Sequence, residues 1–382
     1  MSNPKICFLT DSFISDPEAM ITGPMVQTYL LGSALAKNNW EVHFISYAPD
    51  NRRGPTDHES FQIHWIPKRR FLPLINFIRL IKTLYVVHPD LCYQRGRDIL
   101  TGIAGLYCML FDARFIFASA GEDGVERKKY RKQLDRKRRS LIKRIVLLPE
   151  AFINDVVTEF GLKASQTVFV QTAHQLERLK RVWGKSGKIV RSGHPLPELR
   201  QRQTPIKILW IGSVKQIKRP DVFVELAKLC DGLGCEFWLA GQIVDARYEW
   251  ISDESSLPQN MKYLGAIPFE QSASLIGEAH LLMNTTAAGF EGFPNAFIQA
   301  WIGGTLTLSI HCDPDGVISS NDIGLVTEDL EEHKRFIERC VSDLNYWRKR
   351  SASALAFGRT FYTIDKAISE IETEYEQILP ES

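Results

Sequence analysis

The sequence predicts an α/β protein built from two Rossmann-like halves in series. Three observations carry that expectation. Short buried strands alternate with amphipathic helices along most of the chain, the pattern restarts after residue 205, and 382 residues exceed what one hydrophobic core usually organises. Two domains of roughly 190 residues each follow from that size limit.

Taken in order, Lys5 to Asp11 reads as a buried strand, and a loop then runs to Gly23-Pro24. Met25 to about Asn38 reads as a helix with Leu30, Leu31, Ala34 and Leu35 on one face, and Glu41 to Tyr47 as the next strand. Strand, glycine loop, helix, strand is a βαβ unit, which forces parallel pairing. The loop lacks the full Gly-x-Gly-x-x-Gly fingerprint, which argues against a dehydrogenase. Phe61 to Ile66 is a short strand, Phe71 to Val87 has helical spacing around Arg79 and Lys82, and His88 to Arg97 closes a strand. Leu100 to Leu110 follows as an apolar helix and Asp112 to Ala120 as a strand. Val168 to Thr172 is a strand that leads into a helix near Ala173.

Pro195, Pro197 and the polar segment Glu198 to Thr204 form the best linker, so the expected domains are 1–197 and 206–360, with a final helix over 361–382. The second half repeats the scheme with strand Lys207 to Ile211, helix Pro220 to about Leu233, strand Cys235 to Ala240 and then Gly241. Strand Lys262 to Ala266, helix Phe269 to Ala279, strand Leu281 to Asn284 and strand Thr305 to Ile310 follow. Ile364, Ala367, Ile368, Ile371, Tyr375 and Ile378 mark the last helix as amphipathic.

Apolar residues at 44% and charged ones at 24% are ordinary for a globular chain. The formal net charge of +2 hides one basic segment, Glu126 to Arg144, where eleven Lys and Arg face two acids, so the remainder is net acidic. That segment offers only Tyr130 for stacking, which argues against nucleic acid as a partner. The seven cysteines are odd in number, scattered and mostly in apolar runs, as expected of buried thiols in a reducing compartment. The first residues hold an apolar core too short for a signal segment or a membrane span, so the expected location is cytoplasmic.

The chemistry concentrates in two loops. After strand Leu281 to Asn284 come Glu291, Gly292, Phe293, Pro294 and Asn295, with a helix entered through Pro294 and stopped at Gly303-Gly304. The first N–H groups of a helix lack internal partners and suit an anion. Gly292 removes a Cβ that would hold a ligand off, and Gln299 stands about two turns in. A long ligand could therefore place phosphates at the helix tip and a hydroxyl-bearing end at Gln299, the shape of a nucleotide-sugar. The other loop follows strand Lys207 to Ile211 and reads Gly212-Ser213-Val214-Lys215-Gln216-Ile217-Lys218-Arg219-Pro220. Departure of a nucleoside diphosphate builds negative charge that a fixed ammonium would stabilise.

The run from Glu291 through Gln299 resembles the Glu-x7-Glu signature of the family-four retaining glycosyltransferases, in the form of a bacterial surface-polysaccharide subgroup. That resemblance implies the GT-B fold, with the ligand in the cleft facing the carboxyl ends of both sheets and the last helix crossing back onto the first domain. It implies that Glu291 approaches the donor sugar, that Lys218 grips the diphosphate, and that Gly212, Ser213, Lys215, Arg219, Gly241, Gly292, Phe293, Pro294, Asn295 and Gln299 line the donor. The family pattern has Arg where this chain has Ser213, and an acid where it has Gln299. An amide still exchanges hydrogen bonds with a hydroxyl but loses the charge-assisted bond. Gln94-Arg95 and the run from Phe115 also resemble the subgroup. Gly23 stands where the family often has a glycine pair near the phosphates. The family's acceptor-side His is replaced by Ala120-Gly121, so a base role passes to Glu122 or Asp123, and a solvated acidic loop is the competing reading.

The implied function is transfer of a sugar, with anomeric retention and no enzyme nucleophile, from a UDP- or GDP-linked donor to a glycan or a lipid-linked glycan. A nucleotide-sugar epimerase of the same fold and a catalytically silent binding subunit stand as alternatives. No cofactor and no metal are expected. Asp313-Pro314-Asp315-Gly316 reads as a loop rather than a metal-binding Asp-x-Asp. Residues 126–148 interleave basic and apolar side chains in a way that suits an anionic membrane surface on the inner face, against a basic helix whose apolar residues pack on the core.

Overall fold

The computed structural model describes residues 3–15, 21–48, 52–68, 73–136, 141–199 and 201–379. They fall into two units, Met1–Gly193 with Ile364–Ser382, and His194–Thr363. The units divide at Gly193, four residues before the expected end of the first domain at 197.

Unit 1 begins with β1 (Lys5–Thr10), α1 (Gly23–Lys37) and β2 (Glu41–Ala48). Ile6, Cys7, Phe8, Phe44 and Ile45 have no exposed surface, as a strand covered on both faces of a parallel sheet requires. A hairpin of β3 (Gly54–His58) and β4 (Phe61–Pro67) follows. Only β4 was legible in the sequence. β3 is polar and exposed, carries Pro55, and pairs antiparallel at the sheet edge, where proline is tolerated. Then come α2 (Pro73–Val87), β5 (Leu91–Arg95), α3 (Ile99–Phe111) and β6 (Arg114–Ala118). α3 starts in a capping box: Asp98 accepts from the Leu100 N–H at 2.8 Å, and Thr101 Oγ1 accepts from the Asp98 N–H at 3.3 Å. The basic segment forms α4 (Lys129–Arg136) and the start of α5 (Leu141–Ala164). Residues 137–140 of that segment lie outside the described residues. β7 (Thr167–Val170), α6 (Ala173–Trp183) and β8 (Lys188–Ile189) complete the run. The strand order is β3-β4-β2-β1-β5-β6-β7-β8, and every pair except β3 with β4 is parallel.

Unit 2 contains β9 (Ile206–Ile211), α7 (Pro220–Leu229), β10 (Cys235–Ala240), β11 (Met261–Tyr263), α8 (Phe269–Glu278), β12 (Leu281–Asn284) and α9 (Asn295–Ile302). β13 (Leu306–Ser309), α10 (Val317–Ser320), β14 (Gly324–Val326), α11 (Leu330–Ser342) and α12 (Leu344–Phe361) follow. Its sheet is parallel throughout, in the order β11-β10-β9-β12-β13-β14. The chain then returns to unit 1 as α13 (Ile364–Ile378), which turns Ile364, Ala367, Ile368 and Ile371 inward. Trp40 Nε1 donates to Glu372 Oε1 at 3.2 Å, the Trp40 and Tyr375 rings lie 5.0 Å apart, and Glu374 pairs with Lys188 and Thr167. The cysteines are free, and six of the seven are buried. Burial pushes the Cys235 thiol up to about 11.

Ile371 has no exposed surface and anchors α13 on unit 1. Ile371→Ala should remove about 2–5 kcal/mol from that unit, the usual cost of a large-to-small change in a core. Calorimetry should show one transition moved down by several degrees; an unchanged melting profile would contradict this packing.

Candidate functional site

In unit 2 the strand order reverses beside β9. β9 pairs with β10 on one side and with β12 on the other, so the loops leaving β9 and β12 diverge at their carboxyl ends. Such a switch point is where open α/β sheets hold ligands. The first loop carries Gly212 to Arg219 and the second Thr285 to Pro294. They are stitched together. Trp210 Nε1 donates to Thr285 Oγ1 at 2.9 Å, Thr285 Oγ1 donates to the Lys218 carbonyl at 2.6 Å, and the Ala287 N–H donates to the Ile217 carbonyl at 2.9 Å. Thr285 is fully buried, so this backbone alignment is fixed from inside the unit.

The stitch brings Lys218 and Glu291 together as an ion pair between Nζ and Oε1, and Thr286 Oγ1 donates to the same oxygen at 2.9 Å. Both side chains are largely covered, 28% and 16% exposed, which strengthens the pair relative to a surface one. Lys218 closes a 3-10 turn over Gln216–Lys218, and Lys215 precedes that turn in extended conformation. Arg219 adopts φ +47°, and Pro220 starts α7. Arg219 Nη1 lies 3.4 Å from His311 Nε2, whose Nδ1 is 3.2 Å from Glu328 Oε1.

Gly212 and Gly241 meet back to back at the ends of β9 and β10. Gly241 has φ +148°, and a Cβ there would lie 1.8 Å from the Gly212 carbonyl oxygen. No larger residue fits without moving the strand ends. Ser213 follows in the same half-buried loop. A pocket of about 510 Å³ opens along Gln216, Arg219, Ala287, Tyr248 and Phe290. Tyr248 and Phe290 could not be found by motif, because only the tertiary fold places them beside Arg219.

Helix α9 starts at Asn295 after Pro294, which makes no side-chain capping bond. Gly292 is half-buried in the loop before it. Two expected donor residues are held by neighbours within unit 2. Phe293 is buried, with its ring 5.9 Å from Trp301 and 5.4 Å from Tyr362, so it anchors the loop in the core of unit 2. Gln299 is 8% exposed, and its Nε2 donates to Ser272 Oγ at 3.3 Å, tying α9 to α8. Asp313 caps α10, accepting from the Ile318 N–H at 2.8 Å and from Ser319 Oγ at 2.7 Å. Among the described residues no cluster of three His, Cys, Asp or Glu could hold a metal ion.

In unit 1 the strand order reverses between β1 and β5. Gly23 opens α1 and Arg95 ends β5, both at that crossing, where Arg95 Nη2 donates to Ser192 Oγ at 2.7 Å. Glu122 and Asp123 form a 3-10 turn after β6. Glu122 accepts from Gln175 Nε2 at 3.2 Å and sits 2.9 Å from His174 Nδ1, while Asp123 accepts from Gln133 Nε2 at 3.0 Å and lies 3.4 Å from Lys129. The acidic loop is thus partnered, and His174 is an imidazole at this edge that the sequence reading missed.

No protein-family model matches the sequence, and no curated protein matches it either. Solved structures do resemble it. Anabaena Alr3699/HepE in complex with UDP-glucose aligns with a TM-score of 0.70 at 11% identity, covering 98% of this chain and 100% of that one. A glycosyltransferase from Rickettsia africae ESF-5 aligns with a TM-score of 0.71 at 14% identity over 100% of both chains. WaaG, a glycosyltransferase involved in lipopolysaccharide biosynthesis, aligns with a TM-score of 0.66 at 13% identity over 98% of this chain and 100% of that one. The chain has the GT-B fold.

Proposed function

We propose that the protein is a retaining glycosyltransferase that moves a sugar from a UDP- or GDP-linked donor to a glycan or lipid-linked glycan of a cell-envelope polysaccharide. The observation that carries this reading is the Lys218–Glu291 pair held at the β9/β12 switch point. It supports a division of labour. Lys218 and the first turn of α9 take the diphosphate, with Lys215 and Arg219 adding charge in place of the arginine that Ser213 replaces. Glu291, released from Lys218 when phosphate oxygens claim the ammonium, turns to the sugar. The Gly212/Gly241 contact lets backbone approach the donor, and the pocket beside Tyr248 and Phe290 offers ring faces to the base. Negative charge grows on the leaving diphosphate, so a fixed ammonium stabilises the transition state more than the ground state. No metal enters this scheme.

Lys218→Ala should lower kcat about tenfold to a thousandfold, the range for one preorganised electrostatic donor. Glu291→Ala should abolish transfer while UDP or GDP still binds. Unchanged turnover in the first variant, or lost nucleotide binding in the second, would remove these roles. Donor incubated alone should stay unisomerised, since conversion to a second sugar would indicate an epimerase.

Gln299→Glu tests the buried amide. A carboxylate there loses the Nε2 donation to Ser272 Oγ, whose own hydroxyl donates to the Phe269 carbonyl, and a hydroxyl of the bound nucleotide-sugar would supply the donor it needs, so donor affinity should hold or tighten. A collapse of activity with the fold intact would show that the amide N–H is specifically required.

The same reading extends to a membrane surface engaged through 126–148, with the protein peripheral on the cytoplasmic side. Ile142, Ile145, Val146 and Leu148 are 50–76% exposed, which supports this over packing on the core. No helix among the described residues is long and apolar enough to cross a membrane. Cosedimentation with vesicles should rise with anionic lipid, weaken with salt, and fall when Arg136, Lys137, Arg138 and Arg139 become Ser. No binding at any lipid composition would sink this part of the proposal.

A further inference from the structure

Helix α5 is inverted relative to an ordinary surface helix. Its inward face carries Ala151, Asp155, Thr158 and Leu162, all at most 5% exposed, and the two polar members are held by Arg131 Nε at 2.8 Å from Asp155 and Arg97 Nε at 3.1 Å from Thr158. Its outward face carries Ile145, Phe152, Ile153, Val156 and Phe160 at helical spacing, 37–62% exposed. On α2, Leu74, Ile78, Tyr85 and Val86 are 55–70% exposed. Apolar rows of this extent on a globular surface mark something that covers them.

What covers them is indicated by a cavity. Between α2, α3 and α5 lies an apolar cavity of about 510 Å³, lined by Tyr47, Phe77, Ile103, Leu106, Val156 and Phe160. Val156 and Phe160 belong to the outward row as well, so the exposed face runs into the cavity. Its size falls within the span of about 300–1,000 Å³ usual for small-molecule sites, with almost wholly apolar walls. Asp11 and Lys68, paired at 2.6 Å, also line it.

Asp11 also lines a second, polar pocket at the β1/β5 switch point, together with Thr10, Ser12, Thr28, Arg95 and Asp98. There Thr10 Oγ1 and Arg95 Nε are enclosed without a hydrogen-bond partner, although buried polar atoms are nearly always satisfied. Desolvation raises the Asp98 carboxyl to about 7, which reduces negative charge in that pocket near neutral pH. An apolar cavity and a polar pocket with unsatisfied donors thus share one residue.

We infer that unit 1 binds an amphiphile, with a hydrocarbon chain in the α2/α3/α5 cavity and a phosphate-bearing head at Arg95 and Lys68. The acceptor is then a lipid-linked phosphate compound, which enters from the bilayer along the outward row of α5. Its use as an acceptor rests on the glycosyltransferase reading, but binding itself needs no donor. The phosphate head completes the unsatisfied Arg95 and Thr10 donors, and the chain buries CH₂ groups that water disfavours.

The test is calorimetric titration of the full chain with octyl, decyl and dodecyl phosphate below their micelle concentrations. Affinity should rise roughly tenfold for each two added CH₂ groups. Dodecyl phosphate should bind at least tenfold tighter than dodecyltrimethylammonium, and Arg95→Met should erase that preference. Val156→Asp, on an exposed rim where the fold tolerates charge, should weaken dodecyl phosphate at least tenfold while the UDP-induced melting shift stays as in the parent chain. No dependence on chain length, or equal binding by Val156→Asp, overturns the cavity assignment, and equal affinity for the cationic head overturns the head assignment. Vesicle binding without any binding of soluble alkyl phosphates would make the row a bilayer-docking face only, and would likewise overturn the inference. A missing UDP shift with intact alkyl phosphate binding would fault the donor reading instead.

Discussion

The hydroxyl of Thr285 is fully buried and holds the second unit of this protein in register. It accepts from Trp210 and donates to the Lys218 carbonyl, so the strand β9, the loop after it and the loop after β12 become one rigid edge. Without that bridge the two loops, which leave the switch point in diverging directions, would be joined near their start only by the bond from the Ala287 N–H to the Ile217 carbonyl. With it, an ammonium from one loop and a carboxylate from the other meet with little exposure. Their charges balance each other, which lets both be largely covered where a lone charge would be costly to desolvate. A ligand with its own negative charge can compete for that ammonium.

Unit 1 uses the same topology for different chemistry. Its reversal lies between β1 and β5, and the polar residues gathered there include hydroxyls and Arg95. Where unit 2 sets a salt bridge beside an aromatic-flanked pocket, unit 1 sets unsatisfied donors beside an apolar cavity. The placement of α5 follows from close packing. A Cβ on Gly161 would lie 2.1 Å from the Thr101 carbonyl oxygen, so α3 and α5 approach backbone to backbone there. The inward side of α5 near Arg97 is filled by the small polar Asp155 and Thr158, which leaves its bulky apolar residues facing out.

Much of this was legible in the sequence, because parallel strands buried on both faces read as continuous apolar runs. Cys235–Ala240 and Leu281–Asn284 have the bounds that their residues indicate, and Gly212, Gly241, Pro220 and Pro294 punctuate the loops that follow or the helices that begin. What was not legible depends on direction rather than on type. Phe293 and Gln299 sit in the loop and helix that the sequence indicates, but only packing against Trp301 and Ser272 shows that they turn inward. Helix α5 combines a basic start, an internal proline at Pro149 and an apolar face aimed at solvent, so neither its length nor its orientation follows from periodicity. His311 and His174 gain their partners only through tertiary contact.

The central claim is that unit 2 holds a nucleoside diphosphate at the Lys218 edge. The most direct measurement is the melting temperature of the full chain against rising UDP, GDP and ADP, with and without their attached sugars. A ligand that binds only the folded state raises that temperature with concentration. The account predicts a rise with UDP or GDP that is reduced in Lys218→Ala and retained in Glu291→Ala. No rise with any of these compounds at millimolar concentration, or an equal rise in Lys218→Ala, would contradict it.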